Sequence, residues 1–224
     1  MAFRHDDSLK FPTLKQHNSS IGRVYLVEDG SHKGNVYPSI TRVLGSAPKP
    51  GLEAWKKRVG AKEAARISQR ATIQGGNVHK LLECYLDNEP LPSMSTNVAD
   101  LWNDVSPWLA EHVTCVFAQE QNVYSHKLRV AGRIDVLCEV DNAFAVLDLK
   151  TAAREKREEW VEDYFLQTTF YALGTYEVTG KLPGKLVLPV VSPYGLQIFE
   201  STPQKHFAEL RRRIDEFYLT YEAA

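Results

Sequence analysis

Residues 132–152 read "GRIDVLCEVDNAFAVLDLKTA". Two apolar runs flank Asp141-Asn142, a dipeptide that favours a two-residue hairpin turn. The runs 130–140 and 143–150 are apolar on both faces, as central strands are. Yet Asp135 and Asp148 interrupt them, and Lys150 follows one alternation later. With the turn at Asp141-Asn142, Val140 faces Ala143, Asp135 faces Asp148 and Arg133 faces Lys150. Opposed residues share a sheet face. Residues 148 and 150 share one because side chains alternate with period two. Asp135, Asp148 and Lys150 therefore converge on one patch.

Two carboxylates roughly 5 Å apart on neighbouring strands repel. Either one takes up a proton or a cation sits between them. A hard divalent cation suits such oxygen ligands, and Mg2+ keeps water molecules for chemistry. Lys150 is a compact positive charge beside that position. It suits orienting or deprotonating a water, or neutralising a phosphate oxygen.

The run just upstream, "CVFAQEQNVYSHKLRVAGRID" (115–135), adds a third acid. A tight turn near His126-Lys127 sets Glu120 opposite Arg133, on the same face as the two aspartates. Glu120 is then either a further acid of the site or one half of a surface ion pair with Arg133. A bulge would change the register.

Further out, residues 1–20 read as loosely structured, and segments 22–29 and 34–37 as strands paired across Gly30-Ser31. "PSITRVLG" reads as a short helix stopped by Gly45. A basic helix over about 52–70 and a second over about 76–87 follow, the latter with Val78, Leu81, Leu82, Tyr85 and Leu86 on its apolar side. Helices are expected near 97–112 and 154–178. "KLVLPVV" and "GLQIFES" read as strands flanking the turn "SPYG". A final helix from Pro203 is expected to bury Phe207, Leu210, Ile214, Phe217 and Tyr221. This order predicts an α/β (α+β) fold, a central mixed β-sheet flanked by helices. It is read as a single domain over 1–224, with a basic helical arm in 1–74 and a catalytic core in 75–224.

At 224 residues and 43% hydrophobic content the chain can build a substantial core. No apolar run approaches the roughly 20 residues needed to span a membrane. The opening "MAFRHDDSLKFPTLKQ" lacks the apolar stretch of a signal peptide, and Asp6 and Asp7 argue against a transit peptide. Cys84, Cys115 and Cys138 lack metal-ligand spacing and read as reduced, buried thiols. A cytoplasmic location is expected, in a bacterium or a phage-infected host.

The net charge of −1 makes the chain no polycation, so nucleic-acid binding requires local segregation of charge. One segment provides it: Lys49, Lys56, Lys57, Arg58, Lys62, Arg66 and Arg70 stand against Glu53 and Glu63. It reads either as a solvated helix face or as a track for a nucleic-acid strand, with phosphates on the cations and a base stacked on Trp55.

Two sites at a distance complete the pattern. His79 lies in "QGGNVHKLLE", where Gly75 and Gly76 permit close backbone approach at the expected helix start. Gln167 and Tyr171 lie four apart in "EDYFLQTTFYALG" and share a helix face.

Taken in order, Gly75-x-x-x-His79, Gly132-x-x-Asp135, Asp148-x-Lys150 and Gln167-x-x-x-Tyr171 resemble the RecB-type nucleases of the PD-(D/E)xK superfamily. "YPSITRVLG", "LEAWKKRVGAKEA" and "GGNVHKLLECYL" look like the mitochondrial genome maintenance exonuclease group and its phage and bacterial relatives. The resemblance implies a restriction-endonuclease-like core. It implies metal binding by His79, Asp135, Asp148 and the backbone carbonyl of Leu149, with Lys150 catalytic. Glu120 matches an acid that many members carry. Gln167 and Tyr171 would support the strand near the scissile phosphate, with Arg133, Trp55, Lys56, Lys57 and Arg58 as further substrate contacts.

The implied cofactor is Mg2+, with Mn2+ able to substitute. The iron–sulfur variant of the family needs four cysteines, so no such cluster is expected. The implied activity is exonucleolytic hydrolysis of DNA from free ends, of single strands first, in recombination, repair or replication. A helicase or a single-strand-binding or annealing protein would be a partner. The alternatives are a structure-selective endonuclease using the same site and a catalytically silent DNA-binding module.

Overall fold

A computed structural model describes residues 2–20 and 22–222. The hairpin that opened the analysis forms as expected. Strand β6 (Val130–Val140) pairs antiparallel with β7 (Ala143–Leu147), from Val140↔Ala143 to Val136↔Leu147. Asp141 and Asn142 have φ of 52° and 64°, the positive values of a two-residue primed turn.

Around this hairpin, seven strands of the described residues form one mixed sheet. Its order is β1 (Arg4–His5), β5 (Val113–Ser125), β6, β7, β9 (Lys185–Ser192) and β10 (Gly195–Ser201), with β8 (Lys150–Thr151) also paired to β9. Strands β7 and β8 run parallel to β9, because helix α5 (Glu162–Thr179) carries the chain back between them. A smaller antiparallel sheet, β2 (Leu14–Ser19), β3 (Gly22–Val27) and β4 (Val36–Pro38), lies N-terminal. A bridge from Ser39 to Ala131 joins this end of the chain to β6.

Helices cover both faces, as the α/β expectation held. Leu210, Ile214 and Phe217 of α6 (Pro203–Glu222) pack with Phe165, Leu166 and Phe170 of α5 and with Ile40 and Val43 of α1 (Ile40–Gly45) on one face. Leu81, Leu82 and Leu86 of α3 (Ala61–Leu86) and Leu101, Trp102 and Leu109 of α4 (Thr96–His112) pack on the other. Each core unites about twenty buried residues from elements far apart in sequence, which fixes the strands that carry the acids. Among the described residues no helix is long and apolar enough to cross a membrane.

Several local expectations are corrected. Residues 1–20 contribute β1 and β2 rather than a loose segment. The basic region is two helices, α2 (Pro50–Val59) and α3, broken at Gly60. Gly75 and Gly76 therefore lie inside α3, not at a helix start. A Cβ on Gly75 would stand 3.3 Å from Thr151 Oγ1, so the small residue lets α3 lie against β8. Helix α5 begins at Glu162, although residues 154–159 have good helix-forming composition. The preceding segment instead continues the sheet, with Ala152 N–H donating to Val191 O at 2.9 Å, and tertiary pairing overrides propensity. Phe207 and Tyr221 of α6 are 45% and 44% exposed, and the buried stripe runs instead through Pro203, His206, Leu210, Ile214 and Phe217.

Candidate active site

The β6–β7 pairing ends at Val136↔Leu147, so Asp135 and Asp148 lie just past its last pair, where β7 gives out. Beyond Leu147 the chain leaves β6: Asp148 N–H donates to Val187 O at 3.0 Å, and Lys150 pairs with Val190 of β9. Arg133 consequently faces Asn122 of β5, not Lys150. The expected convergence of Asp148 and Lys150 survives this parting of the strands, since Lys150 Nζ lies 2.5 Å from Asp148 Oδ2.

The β5–β6 register also differs from expectation. The connection occupies residues 126–129, not a tight turn at 126–127, and Gln119↔Val136 and Gln121↔Ile134 bracket Glu120 opposite Asp135. The shift is two residues, so Glu120 keeps the same face. It still reaches Arg133, diagonally, with Oε2 2.8 Å from Nε. Glu120 has φ of 51°, a conformation costly for a residue with a side chain. Across from it the strand alternation slips. Ile134 packs in the α5 core and Val136 in the α3–α4 core, although alternation would place them together. This local kink turns both Glu120 and Asp135 toward α3.

There they meet His79. One donor atom each from His79, Glu120 and Asp135 lies within 4.8 Å of the others, the spacing of a shared cation. His79 Nδ1 is 3.3 Å from Asp135 Oδ2. Burial holds the His79 pKa below its ordinary value, against the pull of Asp148, so the ring is neutral near pH 7, as a metal ligand must be. The nearby Leu149 backbone acts on this ring in the opposite sense to burial.

The acids are under electrostatic stress. Asp148 is fully buried and Asp135 is nearly so, with side-chain exposures of 0% and 16%. Burial first, then the Asp148 charge, drive the Asp135 pKa well above its ordinary value. Burial also raises Glu120, with Arg133 pulling the other way. Burial alone would lower Lys150, but the Asp148 and Asp135 carboxylates outweigh it and raise its pKa. Asp135 Oδ2 and both Asp148 oxygens are buried without a well-formed hydrogen bond. Their approaches to His79 and Lys150 are close, yet lack hydrogen-bond geometry. Orphaned carboxylate oxygens beside a neutral imidazole form a donor set that suits a hard divalent cation.

Helix α5 closes the site from the other side. Gln167 Nε2 donates to Tyr171 Oη at 2.8 Å. Tyr171 is buried, and burial together with the nearby Asp148 and Asp135 charges raises its pKa well above the usual value. Gly132 makes this approach possible. A Cβ there would stand 2.8 Å from Tyr171 Cε1, 3.1 Å from Ile40 Cγ2 and 3.3 Å from Phe170 Cε1. Tyr164, which the sequence reading passed over, lies one helical step before Gln167. Its ring centroid is 5.3 Å from Lys150 Nζ. The signal was present, since 164, 167 and 171 follow the spacing of one helix face.

The remaining substrate candidates stand apart. Among the described residues, α2 buries none, and no ion pair or hydrogen bond joins Trp55, Lys56, Lys57 or Arg58 to the acid cluster. Lys56 pairs with Glu53 at 2.9 Å, while Lys57 and Arg58 have no ion-pair partner among the described residues.

An acid cluster with a lysine, set where neighbouring strands of a mixed sheet part, defines a site for metal-assisted chemistry on a phosphate ester. Residues 51–223 match the family model of the PD-(D/E)XK nuclease superfamily, and the chain belongs to that superfamily. Membership implies metal-dependent cleavage of nucleic acid. Among solved structures, one described as "Crystal structure of SSO0001" is similar at 14% identity and a TM-score of 0.47, over 81% of this chain and 74% of that one. No curated protein matches the sequence.

Proposed function

We propose that the protein is a Mg2+-dependent deoxyribonuclease of the RecB type, similar to the mitochondrial genome maintenance exonuclease group, that hydrolyses DNA from free ends. The observation that carries this reading is the convergence of His79, Glu120 and Asp135 donors within 4.8 Å, beside a buried Asp148 that contacts Lys150. Asp135, Asp148 and His79 would hold the ion, with the Leu149 carbonyl and Glu120 beside them. Bound there, the ion would supply a water of lowered pKa and neutralise charge on the phosphoryl group, and Mn2+ would substitute.

The protein's own groups do the rest. Lys150, its pKa raised by the two aspartates, stays protonated near pH 7. It therefore orients a water or the phosphate as a cation and is not the base in the resting site. The Gln167–Tyr171 pair holds a fixed polar edge beside the acids for the strand near the scissile bond. Arg133, 57% exposed in its side chain although paired with Glu120, would meet a phosphate of the strand. Lys57 and Arg58, without an ion-pair partner among the described residues and on a helix with no buried residue, are suited to following a strand away from the site, with Trp55 as a stacking surface. An N-terminal region over 1–74, whose basic helices α2 and early α3 contact DNA while its strands pack as described, and a catalytic core over 75–224, acting in recombination, repair or replication alongside a helicase or annealing protein, complete the proposal.

The test is a digestion panel of 5′- and 3′-labelled linear DNA and closed circular single strands, with Mg2+ and with EDTA. Mononucleotide release from linear DNA alone supports the exonuclease reading. Cutting of closed circles would replace it with the endonuclease alternative. Binding without any cutting would leave only the DNA-binding module.

A further inference from the structure

The segment between β8 and α5 builds a second surface that the acid cluster does not use. It begins at Ala152, just past Lys150, and is pinned to the sheet by a pair of hydrogen bonds. Lys156 N–H donates to Gln197 Oε1 at 2.7 Å, and Gln197 Nε2 donates to Lys156 O at 3.0 Å. Gln197 pairs with Val190, and Val190 pairs with Lys150, so the three form one row on one sheet face. Two strand spacings of about 4.8 Å place Gln197 roughly 10 Å from Lys150. The clamp thus fixes this loop at a set distance from the lysine.

The loop holds cations around exposed aromatic rings. Arg154, Lys156, Arg157, Trp160, Tyr194 and Gln197 line a cleft in which Glu155 is the one acid. Trp160 is 43% exposed and Tyr194 72% exposed, so both rings have surface open to a partner. The guanidinium carbons of Arg154 and Arg157 lie 5.3 and 5.2 Å from the Trp160 ring centroid. Among the described residues, Arg154 and Lys156 have no ion-pair partner. Glu158 and Glu159 make only long contacts, of 3.8 Å each, to Lys205 and Arg157. Lys156 is half-buried, and burial followed by the Arg154 charge lowers its pKa. Arg154 and Lys156 are thus held near one another with no ion-pair partner among the described residues.

We propose that this cleft is a single-strand-binding subsite, in which Trp160 and Tyr194 stack on unpaired bases and Arg154 and Lys156 hold the intervening phosphate. Base stacking on an aromatic ring requires an unpaired base and tolerates any sequence, and the guanidinium groups over the Trp160 ring would shift aside or pair with a phosphate as a base stacks there. The row through Val190 sets the subsite roughly 10 Å from Lys150. A strand held here would enter the acid cluster at a fixed offset. The inference rests on the nuclease reading for what the strand is held toward, not for the binding itself.

The test measures fluorescence anisotropy of a labelled twelve-nucleotide oligo-dT in EDTA, where no cutting occurs. Trp160→Ala and Tyr194→Ala should each weaken binding on the order of 10-fold, within the range expected for one stacked base, and Trp160→Phe should retain most of the affinity. Lys156→Gln should lower the slope of log K against log salt by about 0.7, the value for one phosphate on a single strand. Thermal melts confirm that each variant is folded, as the exposed positions of both rings lead one to expect. Wild-type affinity in folded Trp160→Ala and Tyr194→Ala overturns the subsite. So does thymidine 5′-monophosphate competing as well as the oligonucleotide, because the cleft would then hold a product and not a strand. Cutting by the wild type with Mg2+ alongside either of those results leaves the nuclease reading standing. Binding that depends on Trp160, in a wild type that never cuts, upholds the subsite and removes the nuclease.

Discussion

Asp135→Asn should make the metal-free protein more stable, and increasingly so as pH rises. The aspartate is 16% exposed, faces the fully buried Asp148, and has its pKa pushed well upward by burial and by that neighbour. A carboxyl with a raised folded-state pKa binds its proton more tightly folded than unfolded. Its contribution to stability is complete below the ordinary carboxylate range and is lost as pH rises toward the folded value. The loss is at most about 1.4 kcal/mol per pH unit. Two charges roughly 5 Å apart at an effective dielectric constant near 20 repel by about 3 kcal/mol, before the attraction of Lys150 is counted. For a chain of this size 1 kcal/mol moves Tm by about 2–4 °C. Melts of wild type and Asp135→Asn from pH 5 to 8 in EDTA should therefore diverge by about 3–5 °C per pH unit over part of that range. Mg2+ should close the gap by raising the wild type alone. Parallel curves in EDTA would refute the argument that the aspartates repel across the hairpin.

Other outcomes follow from the same geometry. Gly132→Ala places a Cβ 2.8 Å from Tyr171 Cε1. It should cost about 1–3 kcal/mol by overpacking, read as a lower Tm, and should lower cutting by displacing Tyr171. Lys57→Ala with Arg58→Ala should leave Tm within about 1 °C, since both are exposed and have no ion-pair partner among the described residues. It should also flatten the salt dependence of single-strand binding by about 1.4 in log–log slope, about 0.7 for each lost contact. Tyr171→Phe removes the acceptor of Gln167 Nε2. It should reduce cutting while leaving Mg2+-induced stabilisation intact, because neither residue belongs to the cation's donor set.

Much of this architecture was legible in the chain. The Asp141-Asn142 turn fixed the β6–β7 register, and from it the meeting of Asp135 and Asp148, because a two-residue turn leaves no freedom in pairing. The order of helices and strands gave the mixed sheet. Three things were not legible, each for a non-local reason. The four-residue β5–β6 connection shifted Glu120 from Arg133 to Asp135, and local composition did not distinguish it from a tighter turn. The parting of β7 from β6 at Asp148 depends on β9, more than thirty residues on, which captures Asp148 N–H and Lys150. The late start of α5 depends on Gln197, which clamps a segment whose own composition favours helix. Motifs placed His79 and Tyr171 near the site. Physical pattern alone could not, since each looks like an ordinary helix residue until the fold brings it to the acids.

The central claim is that this acid cluster and its lysine cut nucleic acid with a divalent ion. The direct measurement is the rate of cleavage of end-labelled single-stranded DNA by wild type, Asp148→Asn and Lys150→Ala, each with Mg2+, with Mn2+ and with EDTA, on protein shown to be folded. The account predicts cleavage by wild type with either metal, none in EDTA, and a loss of at least about a hundredfold in both variants, the scale of one positioned catalytic group. Cleavage that persists in EDTA, or that is unchanged in Asp148→Asn, would contradict it.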